Sequence, residues 1–330
     1  MKALVLTGMN EAMVVQERAD PVAGEGEVIV KVRAAALNHR DVWIQKGQYA
    51  GLKYPIIPGS DGAGIVAAGA GEWTGKDVII NPSINWGNRL THQDPRAFRI
   101  LGLPDDGTFA EFVRVPRSAL FEKPPHLSFE EAAAIPLAGL TAYRALFTRA
   151  GLQAGEIVLI TGIGGGVALF ALRYALAAGA RVFVSSGDDE KIGKAIALGA
   201  HGGVNYKHPD WGKALQEMAG GFDIIVDGAA GDGMDELLNL ANPGGRLVFY
   251  GATRGNPSSL VARRIFWKQL TIFGSTMGSP DDFLAMAAFI NRHGIRPVVD
   301  RVFPFDEGEA ALRHMEDARQ FGKIVIKISE

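Results

Sequence analysis

The residues best suited to chemistry by type and spacing lie in IVLITGIGGGVA (157–168), an apolar run that breaks into glycines before a helix-like segment. Glycines between a buried strand and a helix let backbone amides reach an anionic group at the helix N-terminus, because no side chain intervenes. A bare glycine cluster is a weak signal. Here a second strand ends about 20 residues later, and that context points to the pyrophosphate of a dinucleotide. The register departs from GxGxxG: Gly165 takes the central position, Ala168 the third, and Ile163 stands where the first glycine would fall. Gly162, Gly164, Gly166 and Val167 complete the candidate loop.

The end of the second strand reports on the ribose. A carboxylate there would hold a free 2′-hydroxyl and repel a 2′-phosphate. The chain instead offers Ser185, Ser186 and Gly187, with Lys191 a turn onward. Two hydroxyls and an ammonium suit a phosphate, so the sequence favours NADPH; a solvated helix face is the plainer alternative for Lys191. Asp188 and Asp189 read as the first residues of the next helix. Asp227 either lines the cofactor groove or merely ends its strand.

These residues need a scaffold. A length of 330 residues suits two domains, and 47% hydrophobic content is ordinary for a globular enzyme. A formal net charge of −2 gives no field for gathering nucleic acid or an anionic membrane. The absence of cysteine excludes disulfides and thiolate metal sites. The N-terminus lacks the apolar run of a signal peptide, and the most apolar stretch, 167–184, is interrupted by Arg173 and Arg181. A soluble, cytoplasmic protein is expected.

Up to about residue 123 the pattern predicts short strands, at 2–6, 13–16, 27–35, 62–68, 77–80 and 109–115, with a helix at 38–45 and a loop over 81–106. From Ser128 the texture changes. Ser128 and Glu131 form a capping box opening a helix at 130–135, and a second helix is expected at 140–149. Apolar strands at 157–161, 181–185, 223–227 and 246–251 then alternate with helices at 168–178, 189–198 and 234–240. That alternation predicts an α/β fold with a doubly wound parallel sheet.

Along nearly its whole length the chain resembles the medium-chain dehydrogenase/reductase superfamily, in particular its quinone oxidoreductase-like members and their zinc-dependent alcohol dehydrogenase cousins. The matching pieces are ALNHRDVWIQKG (36–47), PGSDGAG (58–64), DGTFAEFVRVP (106–116), PLAGLTAYRAL (136–146), the glycine loop, and FGSTMG (273–278). The resemblance implies a GroES-like, mostly β catalytic domain over 1–123, joined by a C-terminal segment 296–330, and a Rossmann domain over 124–295. It also implies a homodimer built on Rossmann edge strands, for which the apolar run 270–274 is the candidate.

Zinc-dependent relatives carry metal ligands where Asn38, Ser60, Asp61 and Leu137 stand, and a four-cysteine lobe where 81–106 stands. One carboxylate cannot replace three ligands, so no metal is expected. Arg40 stands where those relatives keep a relay hydroxyl. His39 either contacts the cofactor pyrophosphate or sits as a cap or surface residue. Asn38 and Asp41 match a pair near the nicotinamide in quinone oxidoreductases, though Asp41 could instead cap its helix. Tyr49 matches the second of a tyrosine pair whose first member is Trp43 here. The resemblance further assigns Thr141, Tyr206, Gly251, Ala252, Thr253, Ser275, Thr276, Met277 and Lys323 to cofactor binding.

The leading expectation is NADPH-dependent reduction of a quinone or α,β-unsaturated carbonyl, with Asn38, Asp41 and Tyr49 catalytic. An alcohol dehydrogenase-like activity and an NADPH-binding protein without turnover are the competitors. The first lacks a metal to polarise oxygen, and the second lacks the basic–aromatic surface of an RNA-contacting relative.

Overall fold

The computed structural model describes residues 1–69 and 71–329. The chain divides into two compact units, Met1–Leu140 with Gly278–Glu330, and Thr141–Met277. Sequence reading sets the junctions at 123/124 and 295/296. The difference has a packing cause. Helix Phe129–Ala133, opened by the expected Ser128–Glu131 capping box, packs on strands Glu27–Ala36 and Asp61–Ala68 of the first unit. Helix Pro280–His293 brings Phe283 against Phe121 of that unit, with ring centroids 4.4 Å apart.

The first unit is built on a mixed sheet in the order Val299–Pro304, Lys323–Lys327, Glu27–Ala36, Asp61–Ala68, Asp77–Ile80, Leu120–Glu122, with Phe112–Pro116 also paired to Glu27–Ala36. The C-terminal strand runs antiparallel to Glu27–Ala36, matching Val325 with Ala36 and Lys327 with Ala34. Alternation along Glu27–Ala36 buries Val28, Val30 and Val32 in one apolar cluster with Leu4, Phe109 and Ile326.

The second unit is the doubly wound sheet. Six parallel strands run in the order Gly202–Asn205, Arg181–Ser186, Ile157–Ile160, Phe222–Asp227, Ala241–Phe249, Thr271–Gly274. This is the mononucleotide-binding order that outward winding from the first strand produces, and it gathers the strand C-termini on one edge. Strand Gly202–Asn205 and helix Trp211–Ala219 are not announced by the sequence pattern. The strand has two glycines and buries only Val204, so it owes its conformation to pairing with Arg181–Ser186 rather than to propensity. The helix expected at 140–149 begins earlier, as α-helix Pro136–Tyr143, and continues as a π-helical turn, Arg144–Arg149. No helix among the described residues is long and apolar enough to cross a membrane.

Candidate active site

Helix His39–Gln45 follows the end of strand Glu27–Ala36, and Asn38, Arg40 and Asp41 at its start are buried polar residues. The Asp41 carboxylate accepts the Asn38 backbone N–H at 2.8 Å through Oδ2. The Asn38 side chain turns away from the helix. Its Nδ2 donates to Asp61 Oδ2 at 2.9 Å, and its Oδ1 accepts from Lys323 Nζ at 2.8 Å. Lys323 Nζ also donates to Asp61 Oδ2 at 2.8 Å and to the Leu37 carbonyl at 2.6 Å. Asp61 Oδ1 accepts the Leu137 backbone N–H at 2.7 Å. Asn38, Asp61 and Lys323 are 8%, 0% and 3% exposed, so this is a buried ion pair with an amide spliced into it.

Asp41 is also buried, and its Oδ1 has no hydrogen-bond partner among the described residues. Burial pushes its pKa up to about 6, and the Asp61 carboxylate adds to that. Arg40, the Asn38 N–H and Lys323 pull the other way. Arg40 is buried, and among the described residues no carboxylate lies in ion-pair contact with it. Its guanidinium donates to Ser60 Oγ and the Leu101 carbonyl, both at 2.7 Å, and lies 4.9 Å above the Tyr49 ring. The Tyr49 hydroxyl accepts from Arg40 Nε at 3.3 Å. His39 lies 6.0 Å from Trp43, ring to ring. Although much of His39 faces solvent, the protein packed around its imidazole and then the Lys323 ammonium hold it below the usual histidine pKa.

In the second unit, Gly162 and Gly164 take φ of +63° and +117°, values that side-chain-bearing residues rarely adopt. Gly165 caps helix Gly166–Ala177 without a side chain, leaving its first-turn amides free of side-chain acceptors. A β-carbon on Gly162 would meet only open space. The Ile163 N–H donates to the Ser185 carbonyl at 2.9 Å, tying the loop to the end of the second strand. Ser185 and Ser186 are buried there. Asp188 caps the next helix through the Glu190 N–H at 2.9 Å, and Asp189 accepts from Asn205 at 3.2 Å, so both carboxylates have local work.

A β-carbon on Gly187 would stand 2.8 Å from the Tyr206 hydroxyl and 3.0 Å from Lys207 Cε. The Arg254 guanidinium lies 4.7 Å over the Tyr206 ring. Lys207 and Arg254 thus stand beside the candidate residues Gly187 and Tyr206, and no local signal in the sequence announces Arg254. At neighbouring strand ends, a β-carbon on Gly251 would touch the Gly228 carbonyl at 2.8 Å, and Thr253 Oγ1 donates to that carbonyl at 3.4 Å. Ser275 Oγ is buried with no hydrogen-bond partner among the described residues, and Met277 holds a φ of +43°. Asp227 accepts from Thr161 Oγ1 at 2.5 Å and from the Ala230 N–H at 2.6 Å, so it shapes its own loop. A parallel sheet edge with uncapped amides, an orphaned hydroxyl and a glycine-rich loop fits a dinucleotide.

Two residues have a different setting from the one the resemblance suggests. Lys323, expected at the cofactor, has all three ammonium protons committed to protein oxygens. Asp61, weighed only as a metal ligand, proves to be the anionic centre of the Asn38 cluster. Sequence spacing could not reveal a pairing 262 residues apart.

Residues 166–292 match a family model described as zinc-binding dehydrogenase, and residues 24–125 match one described as the alcohol dehydrogenase GroES-like domain. A zinc-type alcohol dehydrogenase-like protein of Leptosphaeria maculans is 36% identical over 93% of this chain and 92% of its own length. An acryloyl-coenzyme A reductase of Metallosphaera sedula is 29% identical over 99% of each. A solved structure described as an NAD-dependent alcohol dehydrogenase superposes with a TM-score of 0.93 at 37% identity, covering 100% of both chains.

The first of those descriptions raises the question of zinc, which in a catalytic site needs three protein ligands. Of the four positions that correspond to ligands, Asn38 is an amide and Ser60 is bonded to Arg40 and Leu101. Leu137 offers only its backbone N–H, and Asp61 has an ammonium 2.8 Å away. Among the described residues no group of three or more His, Asp or Glu side chains could hold a metal ion. These residues do not fit the ion. The two matched domains and the identity along almost the whole chain nonetheless agree: it belongs to the medium-chain dehydrogenase/reductase superfamily of oxidoreductases.

Proposed function

We propose that the protein is an NADPH-dependent reductase of quinones or α,β-unsaturated carbonyls that works without zinc. The observation carrying this reading is that Asn38 and Asp61, at positions where zinc-dependent relatives keep metal ligands, are bonded to each other and to the Lys323 ammonium. A reduced nicotinamide, when bound, supplies the hydride. The glycine loop with the amides of helix Gly166–Ala177 would hold its pyrophosphate, and Ser186, Lys191, Tyr206, Lys207 and Arg254 would surround the adenosine end.

The chain's own residues must then tolerate the charge that develops on the acceptor. In a quinone or enone that charge is delocalised as an enolate-type species. In a saturated ketone it is concentrated on one oxygen, which demands preorganised donors or a metal. The first unit offers donors of modest strength: the Asn38 amide and the Tyr49 hydroxyl. Asp41, held partly protonated near neutral pH by burial, adds an acidic group beside them.

The test is turnover by metal-analysed protein with NADPH against a panel of quinones, enones, saturated ketones and alcohols. Activity on quinones or enones should exceed the rest by orders of magnitude, with less than stoichiometric zinc and no loss on chelation. A second reading, an NAD-dependent dehydrogenase of simple alcohols, is favoured by the structure with TM-score 0.93. Efficient alcohol oxidation with no quinone or enone reduction would select it. The strand Thr271–Gly274 ends the parallel sheet, and Phe266 and Trp267 nearby are 66% and 76% exposed. We read this edge as the homodimer contact. A monomeric mass by light scattering at micromolar concentration would reject it.

A further inference from the structure

We propose that Lys323 is a positioning residue: with Asp61 it fixes which way the Asn38 amide faces, so that the second Nδ2 hydrogen is the donor offered to the substrate's carbonyl oxygen. This rests on the reading above, in which a donor rather than a metal meets that oxygen.

A primary amide has two nearly isosteric orientations, and only its partners choose between them. An ammonium only donates, so Lys323 must face Asn38 Oδ1; a carboxylate only accepts, so Asp61 must face Nδ2. The observed contacts, at 2.8 and 2.9 Å, satisfy both conditions. Turning the amide over would set N–H groups against the ammonium and oxygen against the carboxylate, converting two charge-assisted hydrogen bonds into repulsions. The three ammonium protons are committed to Leu37 O, Asn38 Oδ1 and Asp61 Oδ2, and the other Asp61 oxygen accepts the Leu137 N–H. Lys323 therefore has no proton left for substrate or cofactor. Among the described residues the second Asn38 Nδ2 hydrogen has no acceptor, and Asn38 retains 8% exposure while Asp61 and Lys323 are sealed. The register that pairs Val325 with Ala36 brings residue 323 to the Leu37 carbonyl, so the clamp is a product of the C-terminal strand.

The experiment compares wild type, Lys323→Arg, Asn38→Asp and the double variant Lys323→Met/Asp61→Asn, which removes both charges together so that neither is left buried alone. Losing an oriented oxyanion donor costs about a hundredfold or more in kcat. Asn38→Asp should show that loss with NADPH affinity unchanged; the double variant, whose amide is left without a preferred orientation, should lose only a few-fold, while Lys323→Arg keeps most of the turnover. Adding Asn38→Asp to the double variant should bring turnover no lower than Asn38→Asp alone, because the charge pair acts only through that donor. Multiplying losses would overturn the proposal and leave Lys323 a structural ion.

A second readout does not depend on turnover. In 15N-labelled protein the Asn38 side-chain amide, identified by its disappearance in Asn38→Asp, should show one proton shifted by the carboxylate. It should move in the double variant. An unmoved resonance in a folded double variant would also overturn the proposal. Wild-type protein inert toward every acceptor but showing the shift would sink only the reductase reading.

Discussion

The glycine loop of the second unit and the Asn38 cluster of the first are built in opposite ways. The loop acts through backbone, within the consecutive residues that join strand Ile157–Ile160 to helix Gly166–Ala177. Its capacity lies in φ values of +63° and +117° and in amides that no side chain caps. The cluster acts through side chains drawn from residues 38, 41, 61 and 323, held together by strand register. A backbone site tolerates a change of residue type wherever the dihedral allows it, which is why Ile163 can stand in a glycine position. A buried side-chain site balances charge against charge, and one substitution leaves an ion alone in a low-dielectric interior. Sequence drift should therefore be gradual in the first kind and abrupt in the second.

The largest expected effect tests that abruptness. Lys323→Met alone leaves Asp61 buried and unpaired, and should destabilise the protein by ~3–5 kcal/mol, read from its urea midpoint. The double variant Lys323→Met/Asp61→Asn should recover most of that loss. Equal melting of the single and double variants would mean that the pair carries no balanced charge.

Next comes Asp41. Burial raises its folded-state pKa from the ordinary 3.8 to about 6, so the fold favours its acid form. Stability is then fully present below the unfolded value and is lost as pH climbs through about 6; Arg40 and Lys323 moderate the loss and Asp61 deepens it. Asp41→Asn keeps an oxygen for the Asn38 N–H and removes the titration. It should stabilise the protein by on the order of 2–3 kcal/mol at about pH 8 and by little at about pH 4. A variant whose advantage does not grow with pH would refute the buried-acid account.

Cofactor choice sharpens the other half of the comparison. NADPH should bind roughly tenfold or more tightly than NADH, since one charge-assisted contact contributes ~1.5–3 kcal/mol. Lys191→Ala should narrow that ratio by weakening NADPH far more than NADH in fluorescence titrations. Equal affinities in the unmutated protein would remove the 2′-phosphate reading. The smallest effect belongs to the loop itself. Gly162→Ala meets no atom but carries a left-handed φ, so it should cost only ~1–2 kcal/mol of stability, measured by thermal melting.

The parallel sheet, the glycine turn between strand and helix and the Ser128 capping box were legible because each is written in contiguous residues: apolar runs, glycines before a helix, a serine three residues ahead of a glutamate. Strand Gly202–Asn205 was not, because two glycines carry no pattern and pairing alone makes them extended. The domain junctions shifted for a similar reason, since packing on the first unit assigns helices Phe129–Ala133 and Pro280–His293 and local periodicity cannot report it.

The contrast is sharpest in one helix turn. Sequence determined that Asn38 and Asp41 stand three residues apart, so that Asp41 can accept the Asn38 N–H whatever the rest of the chain does. Only the tertiary structure decided where the Asn38 amide points. Its orientation depends on an ammonium 285 residues away and a carboxylate 23 residues away, which strand pairing brings within hydrogen-bond reach. Local capping is a short-range constraint readable from spacing. The balance of buried charge is set by whichever distant side chains the folded sheet places together, and no spacing in the sequence encodes it.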